Sequence, residues 1–377
     1  MKIAILISHP TQFEGPFFQF AARDPEHELL VLYTNTERLS GVLDPELKRR
    51  LNWGVDLLSG YNYEIVPAKG RLSWLRRKLA VSGIDLLIVN SYVALLDIAA
   101  AMLARTLRVP VALRLDMVMF NNTSRLKRMV KRVLMLPVSA LFNRFFVTGT
   151  LSREYLAHFR IPERRVSIFT YPIDEKFFHL AADRRTSERQ RWRQQLGIPD
   201  DAFVVTSVTK FNHREAPWDL VEALVRLKEQ RIVGLFIGDG EKREALKKRA
   251  SDAAPSVALF LGYMPYVDLP GLYAASDLFV HPAQNEPWGV SVGEAMAAGL
   301  PVIASTRVGA GRDLIVSGEN GHVYPVGDRD KLAACIKSVE AMDSRRIVKT
   351  NERIVAAWGH QSTWTNILAA AQAGRRA

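Results

Sequence analysis

The sequence predicts an α/β chain of two doubly wound parallel sheets in tandem, and three observations carry that prediction. Apolar runs of strand length alternate with segments of helix length from end to end. The alternation breaks at a polar stretch, His179 to Gln195, and then restarts. A chain of 377 residues also exceeds what one hydrophobic core usually organises, so two domains of ordinary size are expected.

In the first half the strands read as Lys2–Ser8, Glu28–Thr34, Asp85–Asn90, Val109–Arg114, Arg144–Thr148 and Val166–Phe169. Several are apolar on both faces, as strands covered by helices on two sides must be. The polar stretch then reads as a linker running into a helix, with a domain boundary near residue 180. The second half repeats the pattern with Phe203–Thr209, Val233–Ile237, Val257–Leu261, Leu278–His281, Pro301–Ala304 and His322–Tyr324. Beyond Asp328, Leu332, Ile336 and Val339, and then Ile347, Ile354 and Trp358, recur at helical spacing and predict closing helices. The expected domains are residues 1–180 and 190–358, with a last helix at about 360–377 packing back on the first.

Composition narrows the class. Hydrophobic content of 48% beside 24% charge is ordinary for a globular chain and excludes disorder over most of its length. The single Cys335 has no intrachain partner, which fits a reducing compartment, and the cytoplasm is the expected location. The run Lys2 to Ser8 is too short for a span and is followed by His9-Pro10-Thr11-Gln12, so it reads as a buried strand.

Residues 1–180 hold 25 Lys and Arg against 16 Asp and Glu, which places nine of the twelve net positive charges there. Such a bias points to an anionic partner. No recognition helix, zinc site or aromatic sheet motif accompanies the charge, so a phospholipid surface or a phosphorylated acceptor is expected rather than nucleic acid. Ser124 to Leu134 places cations at 125, 127, 128, 131 and 132 beside apolar residues at 126, 129, 130, 133 and 134, and Arg71 to Lys78 is similar. At helical periodicity each gives a basic and an apolar face, suited to anionic lipid at the inner face of the membrane or, equally, to a solvated surface.

The chemistry concentrates in HPAQNEPWGVSVGEAMAAGLPVIAS, from His281 to Ser305. An apolar strand ends in a polar loop holding Glu286; Gly289 precedes a helix that carries Glu294 and stops at Gly299-Leu300-Pro301. A helix beginning near Val290 offers free amides and a positive dipole end to a diphosphate. A carboxylate at Glu294 can accept from two ribose hydroxyls at once. A second loop, Thr209 to Pro217, brings Lys210 and Arg214 between a strand and a helix, where fixed cations stabilise charge building on a leaving diphosphate.

The spacing Glu286-x7-Glu294, with Pro287-Trp288-Gly289 between and Glu294 to Val302 after it, resembles the signature of retaining glycosyltransferase family 4. Gly262-Tyr263, Ser276-Asp277 and Gly318-Glu319-Asn320-Gly321 extend the resemblance over residues 200–330. It implies the GT-B architecture, two Rossmann-like domains facing across a cleft. It implies a nucleoside diphosphate sugar as donor substrate, with no cofactor and no metal, and a carbohydrate, lipid-linked or small-molecule acceptor. Glu294 would then hold the donor ribose, Glu286 the transferred sugar, and the amides of Trp288, Gly289 and Val290 the sugar and phosphate. Tyr263 and Met264 would border the nucleobase. Glu286, Lys210 and Arg214 are the expected catalytic groups, although Glu215 stands where a second lysine often falls.

In the N-terminal half, Gly15 is the glycine available for phosphate approach after the first strand, and a plain turn there is as well supported. His9, Gln12, Arg114 and Asp116 are the candidates on the acceptor or sugar side; Arg114 stands where related enzymes often carry a histidine. The sequence leaves open a sugar-nucleotide epimerase of the same fold, a non-catalytic sugar-nucleotide-binding protein and a basic nucleic-acid binder.

Overall fold

The structure, a computed structural model, describes residues 1–375 apart from 36–41, 45–48, 52–54, 122–123, 228, 230 and 254–257. Its strands are β1 (Lys2–Ile7), β2 (Glu28–Tyr33), β3 (Val42–Asp44), β4 (Arg49–Leu51), β5 (Asn62–Ile65), β6 (Leu86–Val89), β7 (Val111–Leu115), β8 (Arg144–Val147), β9 (Val166–Ile168), β10 (Phe203–Val208), β11 (Ile232–Ile237), β12 (Ala258–Gly262), β13 (Leu278–His281), β14 (Val302–Ser305) and β15 (Gly321–Tyr324). The chain divides into two compact units. One is Met1–Val42, Val55–Pro172 and Trp358–Ala377; the other is Leu43–Gly54 and Ile173–Ala357.

The first unit is built on a parallel sheet in the order β5-β2-β1-β6-β7-β8-β9. Ile3 to Leu6 and Leu86 to Val89 are fully buried because helices cover both faces. One face packs Leu75, Leu79, Ala100, Ala104 and Tyr155 against β6 and β7. The other packs Phe17, Phe18, Trp364, Ile367 and Ala371, so the last helix, His360–Arg375, completes the core of this unit. The edge strand β5 escapes sequence reading because its residues Asn62, Tyr63 and Glu64 form no apolar run.

The second unit carries a parallel sheet in the order β12-β11-β10-β13-β14-β15, which is the doubly wound 3-2-1-4-5-6 arrangement. All six strands fall where the sequence predicts them, to within a residue or two; Val257, the expected start of β12, lies outside the described residues. The polar stretch expected as a linker is the helix Ala182–Leu196, tied to this unit by Arg189 and Arg193, both paired with Asp277 at 2.7 Å. The two units meet at 172/173, and beyond it Ile173 packs on Gly293 and Phe178 on Tyr266 and Tyr273. Among the described residues no helix is long and apolar enough to cross a membrane.

Candidate functional site

In a doubly wound sheet the strand order reverses between the first and fourth strands, and the loops leaving their carboxyl ends part there to form a crevice. In the second unit those strands are β10 and β13. The loop after β10 carries Lys210 and Arg214, and the loop after β13 carries Glu286. Topology therefore brings together groups that lie more than seventy residues apart in sequence. The main chain joins the two loops directly, since the Gln284 N–H donates to the Arg214 carbonyl at 2.9 Å.

Arg214 joins them a second time through its side chain. One terminal nitrogen donates to Glu286 Oε2 at 2.7 Å and the other to Glu215 Oε1 at 2.5 Å. Glu215 Oε2 accepts the Lys210 N–H at 2.6 Å. Glu215 is buried, and burial pushes its carboxyl up to about 7 against the opposing pull of the Lys210 amide and the Arg214 charge. The residue standing where a second lysine often falls is thus an inward-facing acid that anchors the loop.

Glu286 sits on a segment stitched to the chain after β14. Its N–H donates to the Arg307 carbonyl at 3.0 Å, its carbonyl accepts from Gly309 N–H at 3.0 Å, and the Trp288 carbonyl accepts from Ala310 N–H at 2.7 Å. A Cβ on Gly309 would lie 2.0 Å from the Pro287 carbonyl oxygen, so only glycine lets the two segments approach this closely. Trp288 is buried, and its N–H points towards Glu286 Oε1 at 3.5 Å. Gly289 caps the helix Val290–Ala297 at φ +96°, a conformation that favours glycine, and Val308 Cγ1 would meet a Cβ there at 2.9 Å.

Glu294 lies within that helix, 5% exposed, and accepts a hydrogen bond from the Tyr273 hydroxyl at 3.1 Å. Burial pushes it up to about 7, partly offset by that hydrogen bond. Its charge in turn raises Tyr266 and Tyr273, whose burial is the larger cause. Neither glutamate is a solvated surface carboxylate. Tyr263 and Met264 are half-buried and follow the Gly262 turn that ends β12, against which the Arg243 guanidinium rests.

Sequence reading missed three members of this neighbourhood. Tyr273 and Tyr266 stand on short helical turns with no motif to mark them. His281, the last residue of β13, is buried with no hydrogen-bond partner on either ring nitrogen, and burial with the nearby Arg214 charge holds it down to about 4. A histidine closing an apolar strand was the only available signal.

In the first unit, Arg114 ends up deeply buried, with Glu14 as its ion-pair partner rather than Asp116. Its Nε donates to the Phe169 carbonyl at 3.3 Å and its second terminal nitrogen to the Thr170 carbonyl at 3.1 Å. The guanidinium also lies 4.0 Å from the Phe169 ring centre. Asp116 instead accepts from the Tyr171 hydroxyl at 3.2 Å. Gly15 begins the helix Gly15–Ala21, and Leu57 lies close to where a side chain would go, its Cδ2 at 3.3 Å. Gln12 is buried with its Oε1 unpartnered, and His9 is half-buried; both follow β1.

The fold has close counterparts of known structure. A crystal structure of Anabaena HepE in complex with UDP superposes with a TM-score of 0.75 at 19% identity, covering 99% of this chain and 100% of that one. WaaG, a glycosyltransferase involved in lipopolysaccharide biosynthesis, gives 0.60 at 18% identity over 98% of each chain. Both units are therefore Rossmann-like and the architecture is GT-B. In sequence, the lipopolysaccharide core biosynthesis glycosyltransferase LpsE of Rhizobium meliloti is 36% identical over 155 residues, 41% of this chain and 44% of that protein. The GDP-mannose-dependent alpha-mannosyltransferase of Mycobacterium tuberculosis is 34% identical over 189 residues, 50% of this chain and 45% of that protein. The chain thus spans less than half the length of these curated relatives. Residues 188–356, all within the second unit, match the model of the family described as Glycosyl transferases group 1.

Proposed function

We propose that this protein is a glycosyltransferase that moves a sugar from a nucleoside diphosphate sugar to an acceptor hydroxyl with retention of configuration, in the manner of family 4. One observation carries the reading: the switch point of the second sheet gathers Lys210, Arg214 and Glu286 beside the Gly289 end of the helix that buries Glu294. Cations, a helix amino end and a carboxylate are the groups that a diphosphate, a sugar and a ribose require. The family match over residues 188–356 and the UDP bound in the HepE structure support the same reading.

In this mechanism Glu294 accepts from the ribose hydroxyls and Glu286 from the sugar. Lys210 and Arg214 stabilise charge on the departing diphosphate, in the place a metal takes elsewhere, and the leaving phosphate oxygen takes the acceptor proton as the new glycosidic bond forms on the same face. Tyr263 and Met264 border the base. His9, Gln12 and Asp116 are proposed for the acceptor side on their positions after β1 and β7, whereas the bonds of Arg114 suit it to fixing that surface. The activities named for the relatives, in lipopolysaccharide core synthesis and mannosyl transfer, favour an acceptor in surface glycoconjugates. Met129, Val130, Val133 and Leu136 are exposed on the basic helix Arg125–Leu141, which supports contact with an anionic membrane; no cosedimentation with phosphatidylglycerol vesicles at low salt would remove that part. The side chains of residues 125–128 and 134 on that helix lie outside the described ones.

The decisive experiment is a melting-temperature panel of uridine, guanosine, adenosine and thymidine diphosphate sugars, followed by turnover with the best binder. Glu294→Gln should weaken donor binding, and Lys210→Ala should lower turnover. Donor hydrolysis and transfer at wild-type rates in both variants would sink the site. Conversion of the donor with no acceptor present would favour an epimerase.

A further inference from the structure

The loop between β10 and the helix Pro217–Leu227 is basic on its surface and acidic at its centre. Glu215 is 7% exposed and uses both carboxylate oxygens, one on the Lys210 N–H and one on Arg214. Its own N–H donates to Asn212 Oδ1 at 2.9 Å, and the chain leaves it through Ala216 at φ +47°, a left-handed conformation uncommon for a residue with a side chain. The acid faces inward, held there by its bonds to the Lys210 amide and Arg214. Arg214 is consequently gripped by a buried carboxylate on one side and by Glu286 on the other, while its side chain stays 42% exposed.

A buried carboxylate is costly, and capping the Lys210 amide does not require one, since a neutral amide oxygen would accept the same hydrogen bond. The charge is needed for Arg214. An arginine on an exposed loop otherwise samples many rotamers, and a charge-assisted bond from below selects one. We propose that Glu215 is a positioning residue, which fixes the Arg214 guanidinium beside Glu286 so that the phosphate-facing cation is delivered from position 214 and not from position 215. This rests on the proposed diphosphate site. It predicts that putting a lysine at position 215, where the resembling family often has one, harms the site: the new cation would be buried between Arg214 and the Lys210 amide, and Arg214 would lose its hold.

The test compares binding of the nucleoside diphosphate and monophosphate of whichever base gives the largest melting shift, measured by calorimetry on wild type, Glu215→Gln, Glu215→Lys and Arg214→Gln, and on the double variant Glu215→Gln/Arg214→Gln. Wild type should prefer the diphosphate. Glu215→Gln and Glu215→Lys should each reduce that preference about tenfold or more, as loss of a charge-assisted contact does. Arg214→Gln should do the same, and the double variant should fall no further than Arg214→Gln. A purely structural role for Glu215 would lower the melting temperature and leave the preference intact. Unchanged preference in the isosteric Glu215→Gln, a gain in Glu215→Lys, or additive losses in the double variant would overturn the inference. Failure of every diphosphate to bind wild type would instead remove the site reading, and the inference with it.

Discussion

Replacing Gly309 by alanine should displace the segment that carries Glu286. The added Cβ would stand 2.0 Å from the Pro287 carbonyl oxygen, 2.9 Å from its carbonyl carbon and 3.2 Å from Trp288 Cα, all backbone atoms that no rotamer change can move. Relief to an ordinary contact requires a shift of roughly 1.5 Å in the Glu286–Trp288 segment or in the Arg307–Ala310 segment bonded to it, and a misplacement of about 1 Å in a reacting group can already cost about a hundredfold in rate. The accompanying overpacking should destabilise the second unit by about 1–3 kcal/mol. Gly374→Ala is the control. The nearest atom there is Pro110 Cβ at 3.6 Å, so it should be neutral or stabilise the last helix by up to about 1 kcal/mol. The assays are donor binding by calorimetry, turnover, and urea unfolding of each variant. Gly309→Ala within threefold of wild type in both binding and turnover would refute the claim that this close approach sets Glu286.

Removing Arg114 from its buried pair, as Arg114→Met, should cost the first unit about 3–5 kcal/mol, because Glu14 is left buried and unpaired. Glu14→Gln added to it should recover part of the loss; a single-variant loss below about 1 kcal/mol in urea unfolding would contradict the pairing. The raised carboxyls also set a pH dependence. Glu294 lies near 4.5 when exposed and about 7 when folded, so the folded state binds the extra proton and stability falls as pH rises between those values. The fall should amount to at most about 3 kcal/mol, and Glu294→Gln should flatten it. An identical change in urea midpoint between pH 5 and pH 8 in wild type and Glu294→Gln would show that Glu294 does not carry this titration.

What the sequence made legible was whatever burial writes into apolar runs. Strands β1, β6, β11, β13 and β14 are covered on both faces, so they read as nearly continuous apolar segments. An edge strand such as β5 has no such duty and shows none of the pattern. The join between the units is faint in the sequence for a related reason. Ile173, Phe177 and Phe178 join the second unit by packing on Gly293, Tyr266 and Tyr273, and a few inserted side chains have no period to detect. Arg114 was legible as a charged residue closing an apolar strand. Its partner was not, because Glu14 lies a hundred residues away across the sheet.

The same distinction separates the parts of the site. Lys210, Arg214 and Glu286 could be placed together in advance, because a doubly wound order puts the loops after the first and fourth strands side by side whatever their sequence separation. Which way each side chain faces depends on local backbone, and there the sequence is silent. Glu215 stands on a polar loop between a strand and a helix, yet it is turned inward and bonded to the Lys210 amide and Arg214. That inversion changes the electrostatics of the neighbourhood. Lys210 and Arg214 are opposed by Glu286 and by Glu215, whose carboxylate bonds Arg214, so two cations face two acids before Glu294 is counted. Anion affinity at such a site cannot come from an excess of positive charge. It has to come from holding one guanidinium and one helix end in fixed places, which makes the residue beneath the arginine as consequential as the arginine itself.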